Sequence, residues 1–143
     1  MLGEAARRLL DAERRAMLVT IGRQGRPRAV PVCYAVLGET IVTPIDAKPK
    51  RGTDPRDLAR LRDIAADSRV SLLVDHWDED WRRLAWIRIE GEAHVIEPGA
   101  DGHAAALSAL RARYAQYAGM PLEDLPVIEI RPARAVSWSA AHP

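Results

Sequence analysis

The 143-residue chain is poor in cysteine and aromatic residues, and its charges nearly cancel. The single cysteine, Cys33, excludes an internal disulfide and most thiolate metal sites. Aromatic residues make up 5% of the chain, phenylalanine is absent, and the formal net charge is +1. Because duplex-binding proteins usually carry a strong basic stripe, this charge argues against nucleic acid as a partner. No apolar run approaches the ~20 residues that a membrane-spanning helix needs, so we expect no membrane partner.

The rest of the composition is typical of a globular protein with a buried core. Hydrophobic residues make up 48% of the chain and charged residues 29%. We therefore expect a single domain over residues 1–143. The stretch "MLGEAARRLLDAERRAM" is charged throughout and lacks the apolar centre of a signal peptide, which predicts a cytoplasmic location.

The hydrophobic pattern predicts three helices and six short strands. The predicted helices cover residues 3–15, the stretch that starts at Asp54 and Pro55, and residues 101–117. The predicted strands are two within 17–36 around the turn "RQGRP", then "IVTPI", 69–77, 83–97 and "PVIEIRPARAVSWS". Hairpin-type connections between these strands favour a mainly β (α+β) fold built on an antiparallel barrel over a parallel α/β sheet.

A basic connector, "IDAKPKRGTDP", links the third strand to the second helix. Between Ile45 and Arg62 the chain carries six cationic and three anionic residues, a local charge of +3. Lys48 and Lys50 point the same way in an extended segment, and Pro49 between them stiffens the backbone. The connector is therefore either a solvated polar loop or a site for an anion such as a phosphate. Arg60 and Arg62 are about 200° apart on a helix, so a regular helix does not turn both toward one ligand.

Two extended stretches could lie against a flat ring. They are "AVPVCYAV" and "IVTPI", where Pro31 and Pro44 each lack the N–H of a regular ladder. Such a gap occurs where a ligand takes the place of a neighbouring strand, and equally in ordinary edge strands. The residues alone leave both interpretations open.

Other chemistry-bearing residues do not form a recognisable site. The serines lack a nucleophile-elbow context, and the four histidines lack metal-ligand spacing, so we expect neither a catalytic side chain nor a metal site. Trp77, Trp81 and Trp86 lie within ten residues of one another. They predict either a pocket wall or packing in the core and at an interface.

Two blocks of the sequence resemble a known superfamily. "VTPIDAKPK" and the later "LARLRDI…RVSLLVDHWDEDWRRLAWIRIEGEA" are similar to the pyridoxamine-phosphate-oxidase-like split β-barrel proteins. They most resemble the deazaflavin-dependent branch, small oxidoreductases that use coenzyme F420, and the resemblance runs from about Leu9 to Trp138. It implies a six-stranded antiparallel split β-barrel (the FMN-binding split barrel) with flanking helices. It also implies a homodimer with two cofactor sites at the subunit interface.

The resemblance further implies which residues bind the coenzyme. Its phosphate would be held by basic residues after the third strand and on the following helix, here Lys48, Lys50, Arg60 and Arg62. Its ring would lie along the backbone of the second and third strands, here Val30, Pro31, Val32, Thr43, Pro44 and Ile45.

The implied activity is hydride transfer between the deazaflavin and a small electron-poor organic substrate. FMN is the alternative cofactor, although FMN members tend to have a lysine late in the second strand, where this chain has Tyr34 and Ala35. Three alternatives stay open at this point: an FMN-dependent oxidoreductase, a non-catalytic deazaflavin-binding or carrier protein, and an interaction protein whose connector is solvated.

Overall fold

The structure, a computed structural model, describes residues 2–46 and 54–143 and shows a mainly β protein with three α-helices. The helices are α1 (Glu4–Ala12), α2 (Ala59–Ala66) and α3 (His103–Arg113). The strands are β1 (Ala16–Ile21), β2 (Pro27–Val32), β3 (Ala35–Leu37), β4 (Thr40–Pro44), β5 (Arg69–His76), β6 (Ala85–Ile96) and β7 (Val127–Ser139). No helix in the described ranges is both long enough and apolar enough to span a bilayer.

All seven strands form one antiparallel sheet in the order β2-β1-β5-β6-β7-β4-β3. The predicted antiparallel pairing is thus confirmed, and so are the three helices. The sheet is strongly curled, because Val32 of β2 and Ile41 of β4 belong to the same core cluster although five positions separate their strands in the sheet order. The result is a half-barrel whose described edges are β2 and β3.

The prediction of six strands was wrong, because the predicted second strand is two strands. The ladder of β2 ends at Val32 and that of β3 begins at Ala35, so Cys33 and Tyr34 lie between them. The backbone N–H of Tyr34 donates to the Tyr114 hydroxyl at 3.0 Å, which in turn donates to the Tyr34 carbonyl. A side chain from the end of α3 therefore replaces a strand neighbour here.

Tyr34 also fixes the end of α1. Its side chain is fully buried, and its hydroxyl donates to the carbonyl of Leu10 at 2.6 Å. Arg113 donates from Nη2 to the same carbonyl at 2.9 Å and from Nη1 to the carbonyl of Asp11 at 3.3 Å. Carbonyls at a helix C-terminus lack intrahelical partners, so a buried phenol and a guanidinium together cap this end.

The core has two parts on opposite faces of the curled sheet. The inner part fills the half-barrel with residues such as Leu18, Leu72 and Ile89, and α1 and α2 close over it. The second part packs α3 against β3 and β4 through Leu107 and Leu110. Strand β6 shows the predicted alternation, since Ile87 and Ile89 are fully buried while their neighbours are not.

A bulge interrupts the register of β6 and β7 beside Pro132. Glu90 pairs with Arg134 and Gly91 pairs with Pro132, so one residue of β7 is left out of the register. A Cβ atom on Gly91 would lie 2.1 Å from the carbonyl oxygen of Arg131. Only glycine allows the two strands to approach this closely.

Candidate functional site

The entry to α2 carries a buried cation without a complete set of partners. The Arg60 side chain is partly buried, and its Nε atom is shielded from solvent without a hydrogen-bond partner among the described residues. Burial lowers the pKa of Arg60, and the nearby negative charge of Asp46 acts in the opposite direction. A buried donor of this kind is costly unless some other group accepts from it. It fits the oxygen of an anionic ligand, since guanidinium groups bind phosphate and carboxylate well.

Asp46 faces Arg60 and is itself held in place. The hydroxyl of Tyr117 donates to Oδ2 of Asp46 at 2.9 Å, and both residues are buried. Burial raises the pKa of Tyr117 most strongly, and a hydrogen bond with Cys33 and the charge of Asp46 raise it further. The phenol therefore stays protonated at neutral pH and remains a donor to the carboxylate.

Asp46 and Asp54 stand at the two ends of the basic connector. Lys48 and Lys50, the predicted phosphate ligands, lie outside the described residues. At the far end, Oδ1 of Asp54 accepts from the backbone N–H of Arg56 at 2.9 Å and caps a 3-10 turn over Pro55–Asp57. Arg56 then donates to Glu97 at 2.8 Å and to the carbonyl of Asp124 at 3.0 Å. Both ends of the connector are thus fastened to the α3 side of the sheet.

The structure does not bring the two predicted arginines of α2 together. Arg62 is exposed, whereas Arg60 is partly buried, and Nη1 of Arg62 donates to the carbonyl of Asp57. It lines a cleft of about 760 Å³ between α2 and the β1–β2 hairpin. The 200° separation expected from helix geometry is thus present in the fold.

The residues predicted to lie along a ring differ in exposure. Val32, Thr43, Pro44 and Ile45 are buried, Val30 is half-buried, and Pro31 is exposed. Pro31 lies on β2, an edge strand, and Pro44 lies beyond the β3–β4 ladder, which ends at Val42. Within the described residues, both prolines therefore lack a ladder partner on one side, and the exposed Pro31 leaves backbone there that a flat ligand could approach.

The sequence interpretation missed Asp46 and Tyr117 as members of the site. Asp46 is one of the three anionic residues counted in the connector, and Tyr117 is only the last residue of the predicted third helix. The sequence feature that could have identified Asp46 is its position directly after an apolar strand. An acidic residue at such a position is buried if another part of the chain covers the end of the strand. Only the tertiary structure shows that Tyr117 covers it.

The tryptophans separate into two groups. Trp77 and Trp81, on the β5–β6 connection, are 61% and 68% exposed, so neither packs in the core of this chain. Trp86 is half-buried and is the direct cross-strand partner of Trp138, which is 37% exposed. These last two rings lie on the outer face of the sheet, away from the half-barrel interior.

A protein-family comparison matches almost the whole chain. The family model for pyridoxamine 5'-phosphate oxidase matches residues 2–139. No curated protein matches the chain in sequence.

Solved structures share the fold at low sequence identity. A conserved hypothetical protein from Mycobacterium tuberculosis is 20% identical, with a TM-score of 0.78 over 99% of this chain and 88% of that one. The heme storage protein HutZ from Vibrio cholerae is 15% identical, with a TM-score of 0.72 over 97% and 95% of the two chains. A FAD-binding protein from Mesorhizobium loti is 17% identical, with a TM-score of 0.69 over 93% and 89%.

Proposed function

Because the chain belongs to the pyridoxamine 5'-phosphate oxidase family, we propose that it is an oxidoreductase that binds coenzyme F420. In this proposal it transfers a hydride between the deazaflavin and a small electron-poor organic substrate. The observation that carries the proposal is the buried Nε of Arg60, which has no hydrogen-bond partner among the described residues and lies close enough to Asp46 to feel its charge. The other supports are the family itself and the resemblance of the connector to that of deazaflavin-dependent members.

The phosphate of the coenzyme would be held by Arg60, Lys48 and Lys50. Asp46 offsets the charge of Arg60, so the two lysines supply the net positive charge that a phosphate needs. Lys48 follows Asp46 by two positions in the sequence, which links the lysines to the end of the connector that Tyr117 holds. A role of Arg62 in the same phosphate site stays a prediction, since its side chain lies on the other side of α2.

When bound, the deazaflavin supplies a ring carbon that donates or accepts the hydride. The residues of this chain would bind and orient it. The edge of β2 at Pro31 offers exposed backbone to a flat ring, and the buried Pro44 and Ile45 help to exclude water. Proximity and orientation would then contribute most of the acceleration, so the proposal assigns no acid or base to the protein.

We also propose that the protein is a homodimer joined through the outer apolar face of the sheet. This face is made of Met17, Pro31, Leu73, Trp86, Val136 and Trp138. Leu73 and Trp138 are 38% and 37% exposed in the single chain, and large apolar side chains grouped on one sheet face usually mark an interface. Pro31 belongs both to this face and to the predicted ring contacts, which supports a cofactor site at the subunit boundary.

Amine footprinting tests the phosphate site directly, because Lys48 and Lys50 are the only lysines in the sequence. We expect coenzyme F420 to protect both amines from acetylation, read by mass spectrometry, while the N-terminal amine serves as the internal control. A fluorescence titration of the Arg60→Ala protein should show coenzyme affinity reduced about tenfold or more, as for loss of a charge-assisted hydrogen bond. Unprotected lysines together with unchanged affinity in this variant would rule out the proposed phosphate site.

The same preparations separate the alternative functions. FMN that copurifies with the protein, or FMN that binds more tightly than coenzyme F420, would favour an FMN-dependent oxidoreductase. Tight deazaflavin binding without turnover on a panel of electron-poor alkenes would favour a carrier. A hemin titration tests for heme binding, because a heme storage protein has a similar fold. Hemin that binds more tightly than coenzyme F420 would count against the proposed cofactor.

A further inference from the structure

The cleft between α2 and the β1–β2 hairpin is lined by four arginines and two aspartates. It has a volume of about 760 Å³, within the size range of small-molecule sites. The arginines are Arg23 and Arg28 of the hairpin, Arg62 of α2 and Arg69 of β5. The aspartates are Asp63 and Asp67. Among the described residues, the lining of this cleft includes neither Asp46 nor Arg60, so it shares neither of them with the phosphate site proposed above.

Only two of the four arginines are paired with a carboxylate within the described residues. Nε of Arg28 lies 3.1 Å from Oδ2 of Asp63, and Arg69 forms a two-point ion pair with Asp67, with the shorter contact at 2.7 Å. Arg62 instead donates to a backbone carbonyl, which leaves its charge uncompensated. The exposed Arg23 forms no ion pair in the part of the chain that the structure describes. The side chains of the cleft therefore carry two positive charges in excess.

The paired residues give the cleft a rigid wall. Asp63 is buried and accepts a second hydrogen bond, at 2.8 Å, from the hydroxyl of the buried Thr20. The guanidinium of Arg28 lies so close to Gly22 that a Cβ there would be 2.5 Å from its Nε atom. Arg28 is thus packed between a buried carboxylate and the hairpin backbone. Side chains that are fixed before binding lose little entropy when a ligand arrives.

Arg23 owes its position to the tight hairpin turn. The turn runs over Arg23–Gly25, and both Gln24 (φ 60°) and Gly25 (φ 75°) have left-handed backbone conformations. The Gly22 N–H donates to the Arg26 carbonyl at 2.7 Å and closes the turn. The hairpin therefore holds one uncompensated guanidinium on one side of the cleft, and α2 holds the other, Arg62, on the opposite side.

From the two uncompensated guanidinium groups that face one cleft, we propose that this is a second anion site, which binds a metabolite-sized molecule carrying a phosphate or a pair of carboxylates. Arg23 and Arg62 bind the anionic group from two sides. Arg28 and Arg69, already neutralised, shape the wall and supply further N–H donors. The proposal does not depend on which cofactor the protein uses.

Isothermal titration with inorganic phosphate and with malonate tests the site, with acetate at matched ionic strength as the monoanion control. We expect saturable binding of both dianions and a loss in affinity of about tenfold for the Arg23→Ala/Arg62→Ala protein. Arg26→Ala is the matched control, because Arg26 is an exposed arginine of the same hairpin that does not line the cleft. Its affinity for phosphate should stay within about twofold of the unmodified protein.

The Arg60→Ala protein separates this site from the proposed coenzyme site. We expect it to bind phosphate in the cleft normally, whatever its affinity for coenzyme F420. Phosphate binding that survives in the double variant and disappears in Arg60→Ala would overturn the proposal, as would the absence of saturable binding. Complete loss of phosphate binding in the presence of saturating coenzyme F420 would equally show that no second site exists. A chain that binds phosphate here but no deazaflavin would leave this proposal intact and refute the proposed function.

Discussion

The hydroxyl of Tyr117 donates a hydrogen bond to Oδ2 of Asp46 at 2.9 Å, and this contact joins two segments 71 residues apart in the sequence. Asp46 lies at the start of the basic connector, and Tyr117 belongs to the short 3-10 helix Ala115–Gly119 that follows α3. One buried hydrogen bond therefore connects the proposed phosphate site to the packing of α3. Because both groups are buried, the bond is shielded from competing water.

Replacement of Tyr117 by phenylalanine tests whether this hydrogen bond positions the site. The change removes one donor to a buried carboxylate, and we expect a loss of about 1.5–3 kcal/mol in the free energy of unfolding, measured by urea denaturation. We also expect a several-fold weaker affinity for coenzyme F420, since Asp46 would no longer be held opposite Arg60. Tyr114→Phe is the control: it loses hydrogen bonds to the Tyr34 backbone and should lower stability without changing the affinity. Equal affinity changes in the two variants would contradict a positioning role.

Substitution on the outer apolar face should convert the proposed dimer into monomers. Leu73 lies near the centre of this face, with Met17 and Arg88 as its cross-strand partners. Leu73→Glu places a charge where a second copy would have to desolvate it, which we expect to weaken dimerisation by at least about 2 kcal/mol. Multi-angle light scattering across a concentration series measures the shift. Ser108→Glu, on the exposed side of α3, adds the same charge elsewhere and should leave the mass unchanged.

A side chain at Gly91 should destabilise the β6–β7 bulge. The Cβ of Gly91→Ala would lie 2.1 Å from the Arg131 carbonyl oxygen, so the two backbones must separate. We expect a loss of about 3 kcal/mol, at the upper end of the range for overpacked sites, by thermal or urea denaturation. Gly119→Ala is the matched control, because no atom lies within 4 Å of its added Cβ. A loss below about 1 kcal/mol at Gly91 would mean that the bulge relaxes easily.

The ion pair between Asp67 and Arg69 should make stability depend on acid pH. Hydrogen bonds from the Arg69 side chain and backbone lower the pKa of Asp67 to about 2. The pKa of an aspartate in an unfolded chain is about 3.9, so Asp67 takes up its proton at a lower pH in the folded state than in the unfolded state. The contribution of the pair is therefore complete above about pH 4 and is lost as the pH falls through about 2. Urea midpoints measured between these pH values should fall less steeply for Arg69→Gln than for the unmodified protein.

Local sequence features predicted most helices and strands, and tertiary contacts explain the features that the sequence did not predict. The predicted helix start at Asp54 and Pro55 was only partly right, because Asp54 caps a 3-10 turn over Pro55–Asp57 and α2 begins at Ala59. The alternation in β6 and the different directions of Arg60 and Arg62 follow from backbone periodicity, which the sequence carries. The break at Tyr34 does not, because it depends on a hydroxyl 80 residues later that takes over a ladder hydrogen bond. The roles of Lys48 and Lys50 stay predictions, since both lie outside the described residues.

The hydrophobic pattern of the sequence also did not predict which polar residues are buried. Leu58, Leu61 and Ala65 fit an apolar helix stripe, yet the structure buries Asp63 and exposes Ala65. Asp63 is tolerated inside because Thr20 and Arg28 satisfy it, and neither partner is near it in sequence. A periodicity argument treats every acidic residue as solvent-facing, so it cannot find a site built from buried ion pairs.

The cap that Arg113 places on α1 also bears on how the chain folds. Its guanidinium reaches back 103 residues to the Leu10 carbonyl. The cap of α1 is therefore completed late in synthesis, because Arg113 follows β1 to β6 in the chain, whereas Tyr34, the other donor to the Leu10 carbonyl, follows only β1 and β2. Until then Tyr34 is the only one of these two donors available to α1, whose nine residues are by themselves marginal as a helix in water.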